Sequence, residues 1–279
     1  MALSSIEKKD RLDWLEHVVR TAGAIVLSHY AKKTQVEWKT DTEPVTEADR
    51  ASNTFLVEKI SHAFPAEGIL AEESFSDLTC LKNERVWMID PIDGTKEFIH
   101  RNGEFSIMVG LVEKGAPVLG IVYQPAEEKM YKGAKGVESI IDWQDEVIPL
   151  KVSENTKINE FNLVVSRSHL EPVMEKIRSN LGIARWRQHG SVGLKSGLIA
   201  RSIYDLYFHT SGQSKLWDTC APQALLESAG GVMTDLYGQP LNYRGKSVRN
   251  RNGILASNGC RHAEIAGIIS ETLLGAKKV

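Results

Sequence analysis

Residues Trp87 to Thr95 read W-M-I-D-P-I-D-G-T. Val86, Trp87, Met88 and Ile89 form a continuous apolar run that reads as a buried strand, and Pro91 fixes φ and ends it. Asp90 and Asp93 therefore stand three residues apart on stiff backbone, a spacing suited to divalent cations. Gly94 admits an unusual backbone conformation, and Thr95 opens a turn whose backbone N–H groups suit a phosphate. An isolated D-x-x-D-G also reads as a plain turn, with Asp90 as a strand-end cap.

Other acids stand in comparable places. Gly68 to Ala71 is a short apolar run that ends in Glu72-Glu73-Ser74. Leu216-Trp217-Asp218-Thr219-Cys220-Ala221-Pro222 sets a carboxylate before the helical pattern of Ala224, Leu225, Ser228 and Ala229. Alone, Asp218 reads as an N-cap and Glu72 as a solvated charge. Acids at three apolar-segment ends favour one shared site over three unrelated caps.

With 279 residues, 42% of them hydrophobic, and a net charge of −2, the chain has enough apolar material for one large or two fused domains. Near-neutral charge argues against a nucleic-acid polymer as partner, so any phosphate chemistry would be expected on a small molecule. Cys80, Cys220 and Cys260 are too few and too scattered for a disulfide framework or zinc site. The polar stretch Met1 to Asp10 lacks the apolar segment of a signal peptide or membrane span, so the expected location is cytoplasmic.

Ser4 and Glu7 form a capping box ahead of the stripe Leu12, Leu15, Val19, Ala22 and Val26, which predicts a core-facing helix. A second helix is predicted from Thr46 to Phe64-Pro65. Phe105 to Val112, Val118 to Tyr123 and Lys129 to Lys132 read as an antiparallel meander. Beyond about Leu150 short strands and helices alternate: Phe161 to Ser166, a helix from Glu171, Leu194 to Arg201, Tyr204 to Phe208, a helix after Thr219, and Val232 to Thr234.

Four blocks, P-V-T-E-A-D at Pro44 to Asp49, A-E-E-S at Ala71 to Ser74, D-P-I-D-G-T at Asp90 to Thr95 and W-D-T-C-A-P at Trp217 to Pro222, resemble the lithium-sensitive, magnesium-dependent phosphomonoesterases typified by inositol monophosphatase. The resemblance runs from about Asp41 to Gly259. It implies an α/β (α+β) layered sandwich of alternating helices and sheets. Residues 1–150 would form an N-terminal half with most metal ligands, and residues 151–279 a C-terminal half with the last ligand and the substrate contacts. Two or three Mg2+ ions are implied, with Mn2+ as substitute, and lithium inhibition is expected. A homodimer is admitted too, since relatives commonly dimerise.

By this resemblance Glu72, Asp90 and the Ile92 carbonyl serve one metal, with Asp90 bridging to a second held by Asp93 and Asp218. All-oxygen ligation suits hard cations. Thr95 and Asp49, with Glu72, resemble the catalytic groups that activate water. Thr46-x-x-Asp49 is equally a helix capping pattern, and the resemblance favours catalysis over capping alone. Gly94 and Thr95 would meet the phosphate.

The substrate is read from the C-terminal half. Inositol monophosphatase carries a sugar-binding glutamate seven positions before the last metal aspartate, where this chain has Ser211. Ser211-Gly212-Gln213-Ser214-Lys215-Leu216-Trp217-Asp218, Val164-Val165-Ser166-Arg167-Ser168-His169 and Gly190-Ser191-Val192-Gly193-Leu194-Lys195 look more like segments of 3′(2′),5′-bisphosphate nucleotidases. Lys195, His169 and Ser191 would then hold a second, uncleaved phosphate of adenosine 3′,5′-bisphosphate. The nucleotidase pattern has a hydroxyl where this chain has Val192. The alternatives are an inositol-1-phosphate or fructose-1,6-bisphosphate phosphatase, and a catalytically silent binding protein. The basic run Arg244, Lys246, Arg249 and Arg251 reads as solvated, with attraction of a doubly phosphorylated ligand as the alternative, and Trp143 and Trp186 are assigned no role.

Overall fold

The computed structural model describes residues 2–31, 36–38, 40, 44–168 and 171–276. Helix α1 (Ser5–Tyr30) starts at the expected Ser4–Glu7 capping box and buries the expected stripe, Leu12, Leu15, Val19, Ala22 and Val26. Strands β1 (Val36–Trp38) and β2 (Pro44–Thr46) pair antiparallel and lead into helix α2 (Glu47–Ala63), capped by Thr46. A seven-stranded sheet follows: β3 (Gly68–Ala71), β4 (Arg85–Asp93), then, after the short helix α3 (Thr95–His100), β5 (Ser106–Glu113), β6 (Ala116–Gln124), β7 (Lys129–Ala134), β8 (Val137–Trp143) and β9 (Glu146–Pro149). Its strands lie side by side in chain order; only the β3–β4 pair is parallel. The predicted meander is there, extended by β8 and β9.

The rest of the chain forms a five-stranded sheet and its helices. Its elements are β10 (Asn162–Ser166), α4 (Pro172–Asn180), β11 (Arg185–His189), α5 (Val192–Ala200), β12 (Leu206–His209), α6 (Leu216–Ser228), β13 (Val232–Thr234), β14 (Ile254–Ser257) and α7 (His262–Ala276). The strand order is β11-β10-β12-β14-β13.

Side-chain alternation along the strands shows the layering. Trp87 and Ile89 of β4 join a core with α1 and α2, whereas Val86 and Met88 join another with α5 and α6. That second core also takes Val164 of β10, Tyr207 of β12, and Ile254 and Ala256 of β14. The opposite face of those strands, Leu163, Val165, Leu206, Phe208 and Leu255, packs on α4 and α7. Five layers result, α1/α2, large sheet, α5/α6, small sheet and α4/α7, which is the expected alternating sandwich.

Two details set the positions of acids. Strand β4 does not end at Pro91 as predicted: it continues to Asp93 through an irregularity, since Asp90 pairs with Met108 and Asp93 with Ser106. One extra residue on β4 is a bulge, where a proline's missing N–H does no harm. Residues three apart on a regular strand face opposite ways; the bulge turns Asp90 and Asp93 to the same cavity. The cross-strand glycines Gly110, Gly120 and Gly133 let α6 lie on the sheet, where a Cβ on Gly120 would stand 2.5 Å from the Cα of Ala221. That close approach seats Asp218, in the first turn of α6.

Candidate active site

Glu72, Asp90, Ile92, Asp93, Gly94, Thr95, Ser191, Lys195 and Asp218 all line one cavity of about 180 Å³ between the large sheet and the α5 and α6 layer. Parallel pairing of Ala71 with Ile89 brings Glu72 beside Asp90, and the Glu72 N–H bonds the Ile89 carbonyl at 3.1 Å. Asp90 is 2% exposed and accepts the Ile92 N–H at 3.0 Å. Asp93 Oδ2 accepts the Ser191 hydroxyl at 2.5 Å and the Gly193 N–H at 3.0 Å. Asp218 does not precede its helix as predicted. It sits in the first turn and accepts the Lys215 N–H at 2.8 Å.

Asp49 does two things with its two oxygens. Oδ2 accepts the Thr46 N–H at 2.8 Å and the Thr46 hydroxyl at 2.6 Å, which completes the capping box of α2. Oδ1 accepts the Thr95 hydroxyl at 3.3 Å, and the same hydroxyl lies 3.2 Å from the Ile92 carbonyl. Capping and contact with Thr95 are thus not alternatives. Burial pushes the Asp49 carboxyl up to about 7, with the Glu73 and Glu72 charges adding to it against the Thr46 bonds.

The other acids are driven the same way. Burial lifts Asp90 well above the usual carboxylate range, and the charges of Glu72, Asp93, Asp218 and Asp49 lift it further. Asp218 is raised by burial, then by Glu72 and Asp93. Asp93 is raised by burial, against the Lys195 charge and the Ser191 and Gly193 bonds. Buried like charges with oxygen donors alone are a set that divalent cations of the magnesium kind would neutralise, so the residues fit such ions. They are not drawn into a finished cage: among the described residues no three His, Cys, Asp or Glu side chains converge on one point. Asp93 bonds to the start of α5 and Asp218 to Lys215 N.

Lys195 proves to be neither a surface lysine nor one extended into open space. It is 2% exposed, and its Nζ donates to the carbonyls of Ser191 at 2.6 Å and of His189 and Gly190 at 3.3 Å. Burial pulls its pKa down to about 8, partly opposed by Asp93, Glu97 and Glu104. Lys96 and Lys215 are half-buried on the same cavity wall. His169 lies outside the described residues. Ser211 turns to His209, its hydroxyl 2.7 Å from Nε2.

Sequence reasoning missed two acids. Glu97 accepts the Ser168 hydroxyl at 2.5 Å. Glu104 pairs with Arg167 at 2.7 and 2.9 Å and accepts the Gly190 N–H at 2.7 Å. Together they tie residues 167–168 and 190 to the segment after β4. No local pattern marks either residue. Tyr207 and His209, also on the cavity wall, share one face of β12, and strand alternation was the available signal. The basic run Arg244, Lys246, Arg249 and Arg251 is exposed, as expected; Arg249 Nη1 donates to Gln213 Oε1 at 2.6 Å, and the adjacent Asn250 Nδ2 to the Lys215 carbonyl at 2.9 Å.

Comparison with known proteins matches this arrangement. The chain is 34% identical to a 3′(2′),5′-bisphosphate nucleotidase CysQ of Escherichia coli O157:H7 over 235 residues, 83% of this chain and 93% of the relative. It is 30% identical to a fructose-1,6-bisphosphatase/inositol-1-monophosphatase of Thermotoga maritima over 266 residues, 95% of this chain and 97% of that one. A solved Thermotoga maritima IMPase superposes with a TM-score of 0.80 at 29% identity, covering 95% of this chain and 99% of that one. The inositol monophosphatase family profile matches residues 8–273, and the chain belongs to that family.

Proposed function

We propose that this protein hydrolyses the 3′-phosphate of adenosine 3′,5′-bisphosphate, giving AMP and phosphate. The observation that carries the reading is the 34% identity to 3′(2′),5′-bisphosphate nucleotidases over 83% of the chain, joined to a cavity with acids on its floor and lysines on its wall. Inositol monophosphatase-family enzymes are generally magnesium-dependent, and Glu72, Asp90, the Ile92 carbonyl, Asp93 and Asp218 would hold the ions here. Bound there, they would supply the positive charge that a phosphate dianion and a departing alkoxide both require.

The chain's own groups do the rest. Thr95 takes a proton from the attacking water as its hydroxyl proton passes to Asp49 Oδ1. The new P–O bond forms as the ester P–O bond breaks, and solvent protonates the released 3′-oxygen. Gly94 and Thr95 face the reacting phosphate, and Glu72 shares in orienting the water. The second phosphate, with no counterpart on inositol-1-phosphate, is met by Lys96 and Lys215. Lys195 and Ser191 act through the backbone and through Asp93, as their contacts indicate.

Initial rates with magnesium on adenosine 3′,5′-bisphosphate, inositol-1-phosphate and fructose-1,6-bisphosphate test this. The nucleotide is expected to have the highest kcat/KM, and millimolar lithium to inhibit. A preference for inositol-1-phosphate would overturn the substrate reading, with Ser211 and its neighbours binding the sugar.

A further inference from the structure

Ser191 holds a conformation that a side chain resists. Its φ of 51° and ψ of 131° lie outside the usual regions for a residue with a Cβ. Glycine, with no Cβ, would hold it at lower cost, so the contacts of the hydroxyl are what favour a serine. It is 5% exposed and has three partners. The Leu194 N–H, a donor only, lies 3.0 Å from Oγ. Asp93 Oδ2 lies at 2.5 Å and the Ser106 hydroxyl at 2.8 Å.

A hydroxyl has one proton and two lone pairs. An ionised Asp93 only accepts, so it takes the Ser191 proton, and Ser106 and Leu194 fill the lone pairs. Ser106, fully buried on β5, is itself the register partner of Asp93. Gly193 N–H bonds the same Oδ2 at 3.0 Å, and two donors on one oxygen fix how the carboxylate is turned. The strained loop is clamped from outside by Lys195 Nζ on the Ser191 carbonyl and by Glu104 on the Gly190 N–H.

We propose that Ser191, with Ser106 behind it, is a positioning residue that sets the Asp93 carboxylate for a divalent cation rather than a contact to substrate. This rests on the reading of Asp93 as a cation ligand. Partners behind a metal ligand typically govern affinity by about 10–100-fold.

Calorimetric titration of Mn2+ into the metal-free full-length protein tests it, with Ser191→Ala, Ser191→Gly and Ser106→Ala variants. Both Ser191 variants are expected to bind Mn2+ about tenfold more weakly or worse, and Ser106→Ala to lose less. Urea unfolding of the metal-free forms checks folding; should Ser191→Ala fail to fold, Ser191→Gly, which tolerates a positive φ better than alanine, carries the test. Wild-type affinity in a folded Ser191 variant overturns the proposal alone. A wild-type protein that binds no Mn2+ overturns the ligand reading and this proposal with it.

Discussion

Asp49→Asn should make the metal-free protein more stable at alkaline pH while nearly abolishing its activity. The Asp49 carboxyl rises from an ordinary 3.8 to about 7 because it is buried. A carboxyl with a raised folded-state pKa binds its proton more tightly when folded. The stability this contributes is complete below about pH 4 and is lost as pH rises through 7. Three pH units at about 1.36 kcal/mol each make the cost of an ionised Asp49 about 4 kcal/mol above pH 7. Asparagine escapes that cost and can keep one oxygen where Oδ2 accepts the Thr46 N–H and hydroxyl, but its Nδ2 replaces the Oδ1 that accepts the Thr95 hydroxyl, a loss of about 1 kcal/mol. The variant should therefore gain about 3 kcal/mol at pH 8.5 and lose about 1 kcal/mol at pH 4. Urea unfolding in EDTA across that range reads the crossing, and saturating Mg2+ should narrow the gap. The kcat should fall about 10²–10⁴-fold, as for a lost general base. A pH-independent difference, or a variant less stable at pH 8.5, would refute the argument.

Lys195→Met should lower kcat/KM by a similar factor for a bisphosphate nucleotide and its monophosphate, because the ammonium is spent on three carbonyls. Initial rates on both decide it, and a loss confined to the bisphosphate would mean that Lys195 turns to the substrate. Asn250→Ala removes a buried amide that bonds the Lys215 carbonyl at 2.9 Å and Thr219 Oγ1 at 3.3 Å. Denaturant unfolding should show a loss of about 1–3 kcal/mol, and KM should rise as residues 213–216 loosen. Gly120→Ala drives a methyl against the backbone of Ala221. A thermal melt should show about 1–3 kcal/mol of overpacking cost, with a lowered kcat because the displaced helix carries Asp218.

What could be read from the sequence was what is local. The α1 stripe and the Ser4 cap depend on neighbours within a few residues and are where the pattern puts them; the pattern also locates the D-P-I-D-G-T segment but not its bulge. Contacts that span the chain left no such trace. Glu104 meets Gly190 from 86 positions away, and Ser106 meets Ser191 from 85. Strand β9 is exposed along its whole length and so shows no alternation to betray it. For Lys195 a sequence gives the charge but not the carbonyls that enclose it. Asp49 was ambiguous for a different reason: one carboxylate satisfies both patterns at once.

The four aspartates of the site, Asp49 and Asp90 buried and Asp93 and Asp218 half-buried, share a feature that bears on metal removal. Each accepts a nearby backbone N–H, Asp49 from Thr46, Asp90 from Ile92, Asp93 from Gly193 and Asp218 from Lys215. Four different elements of backbone therefore help to orient them, and their charges raise one another's pKa values. Stripping metal with EDTA should accordingly leave the far-UV circular dichroism unchanged while lowering the unfolding free energy. Mg2+ at a hundred times its dissociation constant should restore about 2.7 kcal/mol, reversibly and with a steeper benefit at high pH, where the carboxylates are ionised. Collapse of the helical signal in EDTA would show that the ions hold the layers together, and the backbone bonds would then be a consequence of metal binding rather than its preparation.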